Sequence, residues 1–523
     1  MGKGYGNSFH GNNGEGKGSG KPLIIGHNLL YDLTWLKVLK GFDQWDYEVF
    51  DTLIALHLLD ENYPDKSLQH QYLKLTGRGY EKPGKVSLHS SSTPLIENLR
   101  EDARRDAHAT AELFRDVYRK LEQGGLERIA WLDNEVLKTV VDVTARGWKV
   151  DGYALDSGEK ALLDSLHNLE STITINPRSP KQVSRWVFGR EDAPTDEACL
   201  RAIKDTNPRA SRILEHRELS KQEGTYYRGL KRYVYEDGRV HAWYHLAPSP
   251  LGNSTVTGRL SSSKPNMQNQ PPETRHLFIP SNPDWAILTA DSQQLELRII
   301  AEVTRDPTLL RYIHEGRDLH EETAIFVADL KGEPYDRGID RYGGKTTNFA
   351  WVYGASNWQL ARTTGLPNHL GKELSHFLTE KFPGVTGWIE DTKDRIRTEG
   401  VIRNIFGRRR RLGVHDNFET PEGRRTLRQA LNSPIQGGAG DLVKFIMWCI
   451  HRKFLTLGLE SGIINTVHDE IDIDLNPKEE AIVREIVEYY FTSPPTEEYL
   501  GYKLVVPLGV EIGVGKNWKE AKV

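Results

Sequence analysis

The sequence predicts a multidomain protein combining α/β and α+β units, and three observations carry that expectation. A chain of 523 residues is too long for one ordinary hydrophobic core, and domains of usual size put three or four units in it. Its hydrophobic pattern changes twice: a mixed segment gives way to a polar, helical one, and then to a segment in which strand-like apolar runs alternate with helical stretches. Apolar residues make up 37% and charged residues 27%, with no apolar run long enough to cross a bilayer and no charged-then-apolar start of the signal-peptide kind. A cytoplasmic setting, without a membrane partner, is the expectation.

The first twenty residues contain eight glycines and almost nothing apolar, so they are expected to form a flexible tail that cannot offset its own ordering entropy. Residues 21–125 read as a small α/β unit, from a strand-like Pro22 to Ile25 to a charged helical segment between Asn98 and Glu122. Residues 126–255 read as a helical arm, interrupted by the Asn-Pro and Ser-Pro signals at Asn176 and Ser179. Cys199 and Cys449 are the only cysteines and stand far apart, so neither a disulfide framework nor a cysteine zinc site is supported and the compartment is expected to be reducing. Gly6 occupies the position where N-myristoylation needs Ser or Thr. A net charge of −4 leaves a nucleic-acid partner open, because a local basic face binds phosphates on an acidic protein too.

Chemistry concentrates after Gly258. The run Trp-Ala-Ile-Leu-Thr-Ala ends at Asp291 before a helical stretch, which puts Asp291 at a strand end. Ile463 to Val467 and Ile471 to Leu475 are β-branched-rich runs flanking His468, Asp469 and Glu470, the pattern of a hairpin with carboxylates at its tip. Paired carboxylates can hold two Mg²⁺ ions, and two such ions share positive charge between the attacking and leaving oxygens of a phosphoryl transfer. Single Asp residues are usually turn formers or solvated, so the pair gains meaning from what separates it. Arg341, Lys345, Phe349 and Tyr353 follow one another at four-residue spacing, which on a helix forms one slowly turning edge. Near a helix N-terminus the two cations suit a triphosphate, with the aromatics next to sugar and base.

Three stretches in order resemble the motifs of the family A DNA polymerases: DSQQLELR from Asp291, RYGGKTTNFAWVYG from Arg341 and VHDE from Val467. TGRLSSSKPNMQNQP from Thr257, DLH ending at His320, RQALNSPIQG from Arg428 and the closing VPLGVEIGVGKNW match as well. The resemblance implies a right-hand architecture preceded by a partial ribonuclease H-like exonuclease domain, with the thumb in 126–255, the palm in 256–316 and 412–523, and the fingers in 317–411. It implies Asp291 and Asp469 as metal ligands with the Ser292 carbonyl assisting, and Glu470 and Lys345 as further catalytic groups. Gln294, His320, Arg341, Lys345 and Phe349 would bind the incoming dNTP, and Glu296 would block the ribose 2′-hydroxyl. Arg259 and His468 would meet the primer end, and Tyr353, Arg428, Asn432 and Gln436 the nascent pair and template. Arg298 is read as a structural helix residue. In this family a phenylalanine at the Phe349 position goes with rejection of dideoxynucleotides.

Departures carry expectations too. Ser292 and Gln293 stand where the family commonly has Tyr-Ser, which alters neighbouring packing but leaves the carbonyl. Gly343 and Gly344 cost about 1 kcal/mol each inside a helix and predict a mobile helix end. INPRSPKQ from Ile175 and ELSKQEGTYY from Glu218 resemble the thumb, making Lys181 and Lys221 candidate phosphate contacts, and the arm is too short for a processivity-partner insertion. Arg408 to Arg411 form a basic run that either meets template phosphates or is a solvated loop. GHNLLYD, ending at Asp32, and EDARRDAHAT, containing Asp106, resemble two exonuclease motifs, yet Glu15 is the only acidic residue before Asp32 and Asp102 replaces a usual tyrosine. Little or no proofreading is therefore expected, unless a separate polypeptide completes that domain. A non-catalytic primer-template-binding relative is the other alternative.

Overall fold

The computed structural model describes residues 20–79, 93–248 and 254–522; the Gly-rich start with Glu15 lies outside them. Strand β1 (Leu23–Gly26) and strand β2 (Glu48–Asp51) pair in parallel, joined by helix α1 (Leu29–Lys40). Among the described residues these two strands form a sheet of their own. Helix α2 (Thr93–Gly124) packs against them and leads into helix α3 (Glu127–Arg146), whose apolar stripe contributes Leu132, Val136 and Val140 to the main core.

Helices follow at Gly152–Glu170, Pro180–Phe188 and Pro208–Lys221, the last two opened by Ser179 and Asn207, whose side chains accept from the second or third backbone N–H while a proline fills the first turn. Part of this arm closes around a small core of its own, Ile173, Val183, Val187, Leu200, Ala210 and Ile213, separate from the main one. Lys181 and Lys221 are exposed on it.

The centre is a four-stranded antiparallel sheet. Strand β3 (Ala286–Ser292) is followed by helix α4 (Leu295–Thr304), helix α5 (Leu319–Lys331) and helix α6 (Arg337–Val352). Strands β4 (Val401–Arg403) and β5 (Arg409–Arg411) form a hairpin, and helix α7 (Pro421–Leu457) then crosses the core. Strand β6 (Gly462–Val467), strand β7 (Glu470–Leu475) and strand β8 (Val510–Gly515) complete the sheet in the order β6-β7-β3-β8. Ile287, Leu288, Ile471 and Ile473 are fully buried in it. So are Asp472 and Asp474, the first accepting from Asn465 Nδ2 at 2.8 Å and the second from the backbone N–H of Ser281 at 3.0 Å. No helix among the described residues is long and apolar enough to cross a membrane.

Two expectations need correction. Arg408 to Arg411 neither form a solvated loop nor lie free for template phosphates. The Arg408 guanidinium is buried between Asp133 and Asp441, at 2.8 and 2.7 Å, and Lys444 joins both carboxylates at 2.6 and 2.8 Å. Arg410 and Arg411 pair with Glu61 at 3.0 and 2.7 Å, and Arg409 donates to the Gly124 carbonyl. The run therefore staples α3, α7 and the N-terminal unit together. Gly344, for its part, does not loosen α6: a Cβ there would stand 2.2 Å from the His320 carbonyl oxygen, so glycine is what lets α6 lie against α5.

Candidate active site

Sheet register builds the site. Asp291 sits near the end of β3, directly opposite Glu470 on one neighbouring strand and Glu511 on the other. The β6–β7 hairpin closes with only His468 and Asp469 between the paired Val467 and Glu470. So tight a turn needs a left-handed residue, and His468 takes that conformation at φ 55°. The Ser292 backbone N–H then donates to the Asp469 carbonyl at 3.2 Å, fixing the turn beside the strand end.

The Asp469 Oδ1 atom is buried and has no hydrogen-bond partner; the nearest cation, the Arg259 guanidinium, is 3.8 Å away. Burial, opposed by Arg259 and reinforced by Glu296 and Asp291, pushes this carboxyl up to about 6. Among the described residues no three His, Cys, Asp or Glu side chains gather as a metal-binding group. The residues nevertheless fit a divalent ion, because a buried carboxylate oxygen without a donor, next to a second carboxylate, is a site that a hard cation satisfies.

Glu470, grouped with the catalytic carboxylates from sequence, has both oxygens engaged. Trp518 Nε1–H donates to Oε1 at 2.9 Å and the Lys522 ammonium donates to Oε2. Lys522 also reaches Asp291 Oδ2 at 2.7 Å. Burial works to raise the Glu470 carboxyl, but the bonds from Asp472, Lys522 and Trp518 outweigh it and hold it below the usual range.

A polar chain leads away from the carboxylates. Arg259 donates to Glu296 Oε1 at 2.9 Å, and the Tyr353 hydroxyl reaches Glu296 Oε2 at 3.5 Å. The Tyr353 ring stacks on Phe349 at 6.2 Å, and Phe349 lies 5.8 Å from His320. His320 is buried, its Nδ1 3.1 Å from Asn348 Nδ2. Burial, opposed by Asp318 and helped by Arg341 and Lys345, pulls His320 down to about 4, so it is a neutral imidazole at pH 7.

The four-residue edge of α6 exists, with one change of role. Arg341 lies a full turn inside the helix, paired with Asp318 at the start of α5, whereas Lys345 is exposed. Gln294 is exposed just before α4 in a left-handed conformation. Arg298 bonds the Gln293 carbonyl at 2.8 Å and the Pro507 carbonyl, as a structural residue does. Arg428, Asn432 and Gln436 fall at four-residue spacing on α7, the first exposed and the other two half-buried. One turn on, Gly437 and Gly440 let the Thr257 to Arg259 segment lie against the helix, where a Cβ would meet Thr257 and Arg259 at 2.9 and 2.7 Å.

In the N-terminal unit, Asp32 is exposed in the first turn of α1 and Asp106 is half-buried on α2. A buried carboxylate there is Asp51, which accepts from the backbone N–H groups of Asn28, Leu29 and Leu53 at 2.9, 2.7 and 2.8 Å and so caps the starts of α1 and of the helix Thr52–Leu59.

A sequence model described as DNA polymerase family A matches residues 154–520. The chain belongs to that family. Among family A relatives, it is 32% identical over 455 residues to the thermostable DNA polymerase I of Thermus filiformis, covering 81% of this chain and 52% of the relative. Against DNA polymerase I of Geobacillus stearothermophilus it is 29% identical over 511 residues, 91% of this chain and 56% of that one. The chain thus spans about half the length of these relatives. The POL domain of Pol1 from M. smegmatis, solved in complex with DNA primer-template and dNTP, superimposes with a TM-score of 0.76 at 26% identity, covering 90% of this chain and 82% of that one. A palm, fingers and thumb layout fits the fold shared with it.

Sequence reasoning missed Lys522, Asp318 and Asn348. Lys522 follows the closing GKNW motif within one helical turn, so the signal lay in that motif's immediate continuation.

Proposed function

We propose that this chain is a template-directed DNA polymerase that adds dNTPs to a primer 3′ end. The observation that carries this reading is the buried, donor-free Asp469 oxygen, placed by the hairpin turn beside Asp291 in a chain of family A. Residues 256–316 and 412–523 form the palm, 317–411 the fingers and 126–255 the thumb.

Asp291 and Asp469, with the Ser292 carbonyl, would hold two Mg²⁺ ions, which would supply charge neutralisation to the phosphoryl transfer. The chain's own residues do the rest. Lys345, exposed on α6, donates to the triphosphate, and Arg341 swings to it from Asp318. His320 offers a neutral N–H, and Phe349 packs on the sugar. Glu296, held on both oxygens by Arg259 and Tyr353, fills the space a ribose 2′-hydroxyl needs. Arg259 and His468 meet the primer end, and Tyr353, Arg428, Asn432 and Gln436 meet the nascent pair and template, while Gln294 supports the nucleotide site from outside. Lys181 and Lys221 grip duplex phosphates in a sequence-independent way.

We further propose that the chain alone proofreads little or not at all, because Asp32 is exposed on α1 and the buried carboxylate Asp51 is already bound by three backbone N–H groups. Primer extension with dNTP and Mg²⁺, on matched and mismatched primer ends, tests both statements. Template-dependent extension that disappears in Asp469→Ala, with the mismatch left untrimmed, is the expected result. Tight primer-template binding without extension would favour a non-catalytic binding protein instead.

A further inference from the structure

Lys522 is placed with unusual care for a lysine. Trp518 is fully buried, its ring 4.8 Å from Trp148 and 5.6 Å from Phe278. Thr289 Oγ1 on β3 donates to the Ala521 carbonyl at 2.6 Å, and the Lys522 backbone N–H donates to the Trp518 carbonyl at 3.2 Å. The peptide unit before Lys522 is thus tied through its carbonyl to the strand that carries Asp291 and through its N–H to the turn of Trp518. Among the described residues, the Lys522 ammonium pairs with the carboxylates of Asp291 and Glu470. Arg259 bonds Glu296 and stands 3.8 Å from Asp469. Asp291 and Asp469 therefore have different cations as their neighbours.

We infer that Lys522 is a built-in counter-ion of the polymerase carboxylates, a positioning residue that competes with the divalent ion for Asp291 and keeps Glu470 out of its coordination. The inference rests on the reading of Asp291 and Asp469 as metal ligands. An ammonium bonded to one oxygen of Asp291 repels a divalent cation at the other and stabilises the carboxylate cluster before the cation arrives. Since Trp518 donates to one oxygen of Glu470 and Lys522 to the other, neither oxygen is unbonded while Lys522 stays in place.

The test is Mn²⁺ binding to the full chain without DNA or nucleotide, read by electron paramagnetic resonance of the free ion. Lys522→Met is expected to bind Mn²⁺ about tenfold more tightly than the parent, and Lys522→Arg to stay near the parent. In a melting experiment without metal, Lys522→Met should unfold at lower temperature and gain more on adding Mn²⁺. Unchanged or weaker binding in Lys522→Met, or an arginine variant that behaves like methionine, overturns the counter-ion role. Asp469→Ala separates the two levels. If it abolishes the Mn²⁺ site while Lys522→Met changes nothing, only the Lys522 inference fails; if Asp469→Ala binds like the parent, the metal-site reading fails and takes the inference with it.

Discussion

Two carboxylates of this chain follow short apolar strands, and their fates differ. Asp291 lies on a strand with a neighbour on each side, so cross-strand register sets Glu470 and Glu511 opposite it and the hairpin turn brings Asp469 to the same end. Asp32 follows β1, whose one partner among the described residues is β2, and it stands exposed in the first turn of α1. On the proposed reading, a strand-end aspartate gains a metal partner where a hairpin turn delivers a second carboxylate with an unbonded oxygen, and short motifs alone do not distinguish these cases. Removing the acids one by one breaks or sharpens this contrast. Asp469→Ala should lower primer extension by at least about 10³-fold, or roughly 4 kcal/mol of transition-state stabilisation. Asp32→Ala and Asp106→Ala should leave extension, and the fate of a mismatched primer, unchanged. Longer persistence of mismatched ends in either of those variants than in the parent would show that the N-terminal carboxylates do work together.

The two regions are joined by Arg410 and Arg411 through Glu61, next to the buried Arg408 network that ties α3 to α7, so the same comparison has a stability side. Arg408→Ala leaves Asp133 and Asp441 buried with Lys444 as their one remaining cation. Breaking such a network by removing one partner costs about 3–5 kcal/mol, visible as an earlier denaturant midpoint. Glu61→Gln, which weakens the pairing of the N-terminal unit with Arg410 and Arg411, should cost less, because these arginines are only partly buried.

Within the polymerase half the effects become selective. Glu296→Ala should raise ribonucleotide incorporation relative to deoxynucleotide by about 10²-fold, near 3 kcal/mol of lost discrimination, measured by competing NTP against dNTP. Phe349→Tyr should leave dNTP extension intact and admit dideoxynucleotides; unchanged chain termination would show that Phe349 does not face the sugar.

Local elements of this site were legible in the sequence and long-range partners were not. The β3 run, the hairpin and the α6 edge follow from periods of two and 3.6, which operate within a few residues. Arg408 meets Asp133 across 275 positions and Lys522 meets Asp291 across 231, distances at which periodicity carries no information. Gly344 illustrates the same limit: its helix propensity argued for mobility, whereas the deciding fact is the His320 carbonyl of another helix. The hairpin pattern reads Glu470 next to Asp469, but what binds its oxygens comes from Trp518 and Lys522, outside the hairpin.

The smallest expected effect concerns the seam between the two regions. His57 is buried there, its Nε2 3.2 Å from the Thr255 carbonyl and 3.3 Å from Ser254 Oγ. Burial, with the charge of nearby Lys66 acting in the same direction, pulls it down to about 4. The folded chain therefore keeps His57 neutral down to that pH, whereas an unfolded histidine takes up its proton near pH 6.5. Between those values the unfolded state binds more protons, so this contribution is complete above about pH 6.5 and is lost as pH falls toward 4. Burial also pulls His245 and His320 down to about 4, which gives them the same sign, so the parent alone cannot assign the slope. The difference can: stability of His57→Gln, measured by denaturant unfolding between pH 7 and 5, should fall by about 1–2 kcal/mol less than that of the parent. Equal slopes would mean that water reaches His57 in the folded chain and that the seam opens before the polymerase core does.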